Sequence, residues 1–167
     1  ILENCKCVYC NGDIYRVDKG FGCENYFKKK CGMFIYSSYN GVILSDENVI
    51  LLVSGETTPF ISGFLSSSGI YFSAKLYVSD SNFQVLFDYK IGNCPKCKTG
   101  SILKMQKFYG CNNFLSEIKC DFIIWPSIFG YQITFSDVEI ILLGNLSESK
   151  SFDWNSKSFE GYLSLDE

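Results

Sequence analysis

Nine cysteines in 167 residues are the side chains best placed to do chemistry here, because eight of them fall into two matching sets. Cys7 and Cys10 form a CxxC pair followed by Cys23 and Cys31; Cys94 and Cys97 form a second pair followed by Cys111 and Cys120. A CxxC at a tight turn delivers two thiolates to one side of a metal ion, and a second pair from another turn completes a tetrahedron. The chain has no histidine, so each cage would be all cysteine. Two structural Zn2+ ions and one spare thiol account for the odd count more simply than a disulfide framework, which favours even numbers. Cys5 lies outside the repeated spacing and is read as the spare. Thiols kept free to ligate imply a reducing compartment, so the chain is expected to be cytoplasmic.

A cage closed by four sulfurs has no open position for water or substrate, so the ions would stiffen loops and not activate a nucleophile. Segments of about 30 residues bury too little surface to fold alone, and bound metal supplies the missing free energy. No Ser-His or Cys-His pair is possible, and no P-loop or GxGxxG pattern occurs. Asp46-Glu47 reads as the first turn of a helix, not an acid/base pair. No catalytic residue is expected in this chain.

The cysteines must be held by something, and the sequence holds them twice. Cys7 and Cys10 recur 87 residues on, Cys23 recurs at 88 and Cys31 at 89. Beyond them "MFIYSSYNGVILS" parallels "DFIIWPSIFGYQIT", aligning Phe34 with Phe122 and Tyr36 with Trp125; Gly55 falls over Gly144, Phe72 over Phe159 and Leu76 over Leu163. Single-residue slips at turns are the mark of a duplicated unit. The expected organisation is two zinc-ribbon units, 1–91 and 92–167, the second without its last strand. The expected fold is small, α+β and mostly β. Each unit has a four-cysteine ribbon of short antiparallel strands, then one short helix, then closing strands. Ser45 and Thr134 are the expected N-caps, with Asp46, Glu47 and Asp137 in the first turns, and Gly55 and Gly144 end the helices. "IYFSAKLYV" and "FQVLFDY" alternate as strands do, with Asp80-Ser81-Asn82 as their turn.

Charge follows the cysteines. The net charge is −3, yet residues 5–31 carry six basic against three acidic side chains, and residues 94–120 carry five against Glu117 alone. The rest of the chain has four basic and fourteen acidic residues. A polyanion would therefore dock at the ribbons. Single strands need aromatic faces for bases and cations for phosphates. The candidate contacts are Arg16, Lys19, Phe21, Tyr26, Lys28, Lys104, Lys107, Phe108, Phe114 and Trp125, with Tyr109 and Tyr36 at related positions. Phe34 and Phe122 are expected in the core. No apolar run approaches the roughly 18 to 20 residues a membrane span needs. The opening Ile-Leu-Glu-Asn-Cys, with no Met and no leader, reads as a fragment or processed piece.

"CPKCKTGSILKMQKFYGCNNF…KCDFIIW" and "GFGCENYFKKKCGMFIY" resemble the C-terminal zinc-ribbon repeats of bacterial type IA DNA topoisomerases, particularly the topoisomerase III-like enzymes. The stretch "LSDENVILLVSGETTPFISGFLSSSGIYFSAKL" resembles the helix, turn and strand region that follows in that family. The resemblance covers residues 5 to 167. It implies an accessory module that binds single-stranded DNA and supports relaxation or decatenation by a catalytic core in cis. The sequence departs from the family at Val8-Tyr9, where Pro is usual, and at the lysine-poor "SSSGIY" and "NSKSF". Those departures leave the ribbons as the expected contact surface. No acidic metal cluster of the topoisomerase-primase type and no assignable nucleophilic tyrosine is present. The other reading is a protein-interaction module that docks a DNA-processing partner such as RNA polymerase or a helicase through its acidic remainder.

Overall fold

A computed structural model describes residues 1–3 and 5–166 and divides the chain into two compact units, Ile1–Asp88 and Tyr89–Glu167. Glu167 itself, the end of the expected second unit, lies outside the described residues. In the first unit β1 (Ile14–Val17), β2 (Gly20–Cys23) and β3 (Phe34–Tyr36) form an antiparallel sheet, with the one-turn helix α1 (Glu24–Phe27) between β2 and β3. A hairpin of β4 (Ser38–Tyr39) and β5 (Val42–Ile43) leads into α2 (Asp46–Val53), and β6 (Ile61–Leu65), β7 (Tyr71–Val78) and β8 (Val85–Asp88) close the unit as a second sheet.

The second unit repeats the plan. Strands β9 (Gly92–Asn93), β10 (Ser101–Lys104), β11 (Tyr109–Cys111) and β12 (Ile123–Ile124) form the ribbon sheet, with a 3-10 turn at Asn112–Leu115. The hairpin β13 (Ser127–Ile128) and β14 (Tyr131–Gln132) precedes α3 (Phe135–Leu142), and β15 (Lys150–Trp154) pairs with β16 (Lys157–Gly161). The tandem, mostly antiparallel α+β plan is the expected one, and among the described residues β8 has no counterpart. Register corrects one alignment. Gly22 faces Phe34 where Gly110 faces Ile123, so Phe34 corresponds to Ile123 and not to Phe122. Phe34 and Phe122 are both only half-buried, short of the core position expected of them.

The helices start and stop where the sequence marks them. The Ser45 hydroxyl accepts from the Asn48 amide, and Thr134 and Asp137 satisfy each other's amides reciprocally. Gly55 and Gly144 both take φ 79° and carry matching terminal bonds: Glu56 N–H to Leu51 O, and Asn145 N–H to Ile140 O. A left-handed residue is needed there to turn the last amides back onto the helix, and glycine adopts it without a Cβ clash. Leu143 forms the C-cap and is exposed, while Val138 and Ile141 carry the buried face.

Both cores also share a buried hydroxyl. Thr58 accepts from the Leu76 amide at 2.8 Å and Ser147 from the Leu163 amide at 2.9 Å, each also donating to the next residue's carbonyl. Each unit also holds a stacked phenylalanine pair, Phe64–Phe72 at 5.4 Å and Phe152–Phe159 at 5.5 Å. The hairpin β4–β5 and the strand β6 were not legible in the sequence. The hairpin strands are two residues long, and Gly63 breaks the alternation of β6 with a bulge. No helix among the described residues is long and apolar enough to cross a membrane.

Candidate functional site

Each ribbon brings its cysteines together through two turns. In the first turn Cys7 N–H donates to Gly12 O and Asn11 N–H to Cys7 O; in the second unit Cys94 N–H donates to Gly100 O and Lys98 N–H to Cys94 O. Asn11 (φ 56°) and Lys98 (φ 63°) occupy the left-handed position that closes each knuckle. The second turn starts where Cys23 and Cys111 cap the short helical turns, their sulfurs accepting from the Tyr26 and Asn113 amides. Asn25 O and Asn113 O then receive the amides of Cys31 and Cys120, which fixes the fourth ligand.

The result is two sulfur tetrads, each with all four Sγ atoms within 4.8 Å of one another. Cys7–Cys31 and Cys10–Cys23 stand 3.9 and 3.7 Å apart; Cys94–Cys120 and Cys97–Cys111 both stand 3.6 Å apart. A tetrahedron of four thiolates at about 2.3 Å from zinc has edges of about 3.8 Å, so both tetrads fit one zinc ion each. A disulfide needs its sulfurs at about 2.05 Å, and all nine cysteines are free. Cys5 is buried outside both tetrads, its thiol 3.9 Å from Leu2 O.

The surroundings prepare some sulfurs to be anionic. Burial raises the Cys97 thiol, but the Thr99 and Gly100 amides and the Asn113 and Thr99 side chains outweigh it and hold the pKa at about 5. Cys10 sits in the same conflict, with burial opposed by Asn25 and the Gly12 amide, and is lowered to about 7. Burial pushes Cys7 up to about 11 and Cys111 up to about 12, and raises Cys23 and Cys94 too. A cage in which some thiols resist ionising needs a cation at its centre before all four can be thiolates. Asn25 and Asn113 were missed in the sequence. Their signal was present, since both stand two residues after the third cysteine of their unit.

The ten expected nucleic-acid contacts divide. Phe21 is 2% exposed and offers no face to a base. It is buried because β2 is the middle strand of its sheet, and its ring instead supports the Arg16 guanidinium at 4.9 Å. Tyr109 takes the equivalent place on β11 and is buried likewise, with Lys104 over its ring at 4.5 Å and its hydroxyl on Ile133 O. Arg16 is further bound to Asp46 at 2.5 Å, and Lys28 is paired with Glu24. Both cations thus already hold a carboxylate, in exposed pairs. Lys19 and Lys107 are exposed and, like Lys104, have no carboxylate partner among the described residues.

The aromatics of the second ribbon are more available. Phe114 is 53% exposed and Trp125 63%, and the half-buried Phe108 touches Trp125 edge-on at 6.0 Å. Met105, Lys107, Phe108, Gly110, Phe114 and Phe122 help to line an apolar cleft of about 340 Å3 beside the second tetrad. In the first ribbon Tyr26 keeps part of its surface in water but packs on Phe27 and Phe34 at 5.4 and 5.0 Å.

Over 172 aligned positions the chain is 30% identical to DNA topoisomerase 1 of Bacillus anthracis. The chain resembles one part of a DNA topoisomerase. The match takes in 96% of this chain and 19% of that protein, so the chain spans about a fifth of the relative's length. No protein-family model matches the chain, and no solved structure does. A zinc-binding accessory module is the description that the tetrads and this similarity jointly support.

Proposed function

We propose that this chain is an accessory zinc-ribbon module of a type IA DNA topoisomerase, binding single-stranded DNA for a catalytic core in cis that performs relaxation or decatenation. The observation that carries this reading is the second ribbon: a four-sulfur tetrad, Lys104 and Lys107 without carboxylate partners among the described residues, and the accessible rings of Phe108, Phe114 and Trp125. Cations without carboxylate partners can take phosphate oxygens without first breaking an ion pair, and accessible rings can stack on any base. The ions hold this surface without reacting, because four sulfurs saturate zinc.

The test is binding of the zinc-loaded chain to a single-stranded oligonucleotide followed across salt. Affinity should fall steeply between about 50 and 200 mM salt as counterions are released. Equal affinity at both salts, or no binding at either, would remove the reading. The acidic surface outside the ribbons favours a second possibility, docking on a basic surface of a partner such as RNA polymerase or a helicase. A complex with such a partner that survives nuclease treatment, from a chain that does not bind oligonucleotide, would select it.

A further inference from the structure

The eight tetrad sulfurs are not equally reachable. Cys7, Cys23, Cys94, Cys111 and Cys120 are buried, whereas Cys10, Cys31 and Cys97 keep partial exposure. Of those three, Cys31 lines an open groove of about 720 Å3, together with Tyr26, Phe27, Phe83, Lys29 and Lys30. Both lysines are exposed and have no carboxylate partner among the described residues. The other two reachable sulfurs are engaged by donors. Cys97 accepts from the Gly100 amide at 3.3 Å and from the Asn113 and Thr99 side chains at 3.6 and 3.8 Å. Cys10 is held by the Asn25 side chain and the Gly12 amide. Among the described residues no amide or hydroxyl donates to the Cys31 sulfur, which faces the Cys7 sulfur at 3.9 Å. A thiolate whose electron pairs are occupied by donors attacks less readily, so Cys31 is the best nucleophile that a reagent in solution can reach.

We infer that Cys31 is a modification site for small anionic disulfides, and that its reaction expels the first zinc ion. This goes beyond the reading of the chain as a DNA-binding module and does not depend on it. The Cys31 thiolate attacks one sulfur of the disulfide; the S–S bond breaks and one thiolate leaves. Cys7 then attacks the Cys31 sulfur of the mixed disulfide, which forms a Cys7–Cys31 disulfide and releases the second thiolate. Two cysteine thiolates are oxidised and the external disulfide is reduced to two thiolates, so no other oxidant is consumed. The ion keeps only Cys10 and Cys23 and dissociates, and the ribbon loses the free energy that metal contributes to its fold. Excess reducing thiol with zinc reverses the sequence. The groove selects the class of reagent, because the two lysines draw in negative charge and the three rings accommodate an apolar body.

The experiment compares two disulfides of opposite charge on the full zinc-loaded chain: the dianionic aromatic dithiobis(nitrobenzoate) and the dicationic cystamine. Zinc release is followed with a fluorescent indicator, and the modified cysteines are located by peptide mass mapping. With the dianion one ion per chain should leave first, with Cys31 the first cysteine modified and Cys7–Cys31 the first internal disulfide. The double variant Lys29→Glu, Lys30→Glu should slow the dianion roughly tenfold at low salt without slowing cystamine. Cys31→His, which preserves a four-ligand zinc site, should keep two ions and lose the fast phase. First modification at Cys5, Cys10 or Cys97, or release of both ions at one rate, overturns the site. Parental rates with the dianion in the double lysine variant overturn the charge selection. The mapping is read on the parent chain, so it decides the matter even where Cys31→His fails to hold its metal.

Discussion

The first and second units share a plan and differ in how tightly they are closed. In the first, the turn before β8 lays Phe83 against Tyr9 at 4.7 Å, and the Tyr9 hydroxyl donates to Asp80 at 2.9 Å. The Phe83 ring passes so near Gly32 that a Cβ there would meet it at 2.4 Å, which places the ring beside Cys31. Phe83 thus borders the fourth ligand of the first tetrad from an element that the second unit does not have among its described residues, and Cys31 still keeps partial exposure where Cys120 is buried. Arg16 is claimed by Asp46, whereas the second unit has Phe135 at the place of Asp46, and the equivalent Lys104 stays without a carboxylate partner among the described residues. Duplication gave two ribbons with different rims: an open groove beside Cys31 in the first and an apolar cleft beside Cys111 in the second.

The helix ends diverge as well. The second unit buries Asp137 at 2% exposure, where it accepts from Tyr131 and Thr134 and is paired with Lys150 at 3.0 Å. At the matching places the first unit has Val42, Asn48 and Ile61, an uncharged solution to the same packing problem. Burial raises the Asp137 carboxyl, but the Thr134 amide, Tyr131 and Lys150 together outweigh it and hold the pKa below the usual carboxylate range.

Five outcomes would break or sharpen this contrast. The largest concerns the ions. Cys111→Ser should halve the zinc per chain and unfold the second ribbon while the first keeps its metal, because zinc in such sites contributes about 10 kcal/mol or more of folding free energy. Elemental analysis of Cys111→Ser and Cys23→Ser checks it, and loss of both ions from either variant would show that the units are not independent. Next, Lys150→Met should destabilise the second unit by about 2–3 kcal/mol in denaturant titration, since it leaves a buried carboxylate without its cation. Ile61→Met, at the equivalent place in the first unit, should cost under about 1.5 kcal/mol.

Acid separates the sites in turn. Zinc keeps its thiolates ionised well below the pKa values of the free thiols, and each ion is lost as protons compete for the sulfurs on falling pH. Cys97 accepts from more donors than Cys10, the Thr99 and Gly100 amides and the Asn113 and Thr99 side chains, and these favour its thiolate, so the second site should keep its ion to lower pH. Zinc release from the two single-site variants, followed with a chromogenic indicator between about pH 7 and pH 4, measures the order. Phe83→Ala should then speed chelator extraction from the first site severalfold and leave the second unchanged, with a loss of stability of about 1–3 kcal/mol. The smallest effect is electrostatic: Asp46→Ala frees Arg16 and should steepen the salt dependence of oligonucleotide binding by about one ion.

Much of the candidate site was legible because its signals are local. Spacing, repetition and the absence of histidine picked out all eight tetrad cysteines, and the structure brings them together in the expected fours. The helix caps were readable for the same reason, since Ser45, Thr134, Gly55 and Gly144 act within one turn of themselves. The aromatic contacts were read less well. Phe21, Tyr26 and Phe114 look alike in sequence, but strand order buries the first, a neighbouring Phe27 engages the second, and the third stands more than half exposed.

By itself, then, the amino-acid order determined the duplicated plan, the ligand sets and the turn chemistry, all of which depend on residues a few places apart. Only the tertiary structure decided which rings reach water and which cations remain unpaired. Asp46 reaches Arg16 across 30 residues of sequence, and Asp80 reaches Tyr9 across 71. Such pairings are fixed by how sheets and turns pack, so no local pattern in the chain announces them.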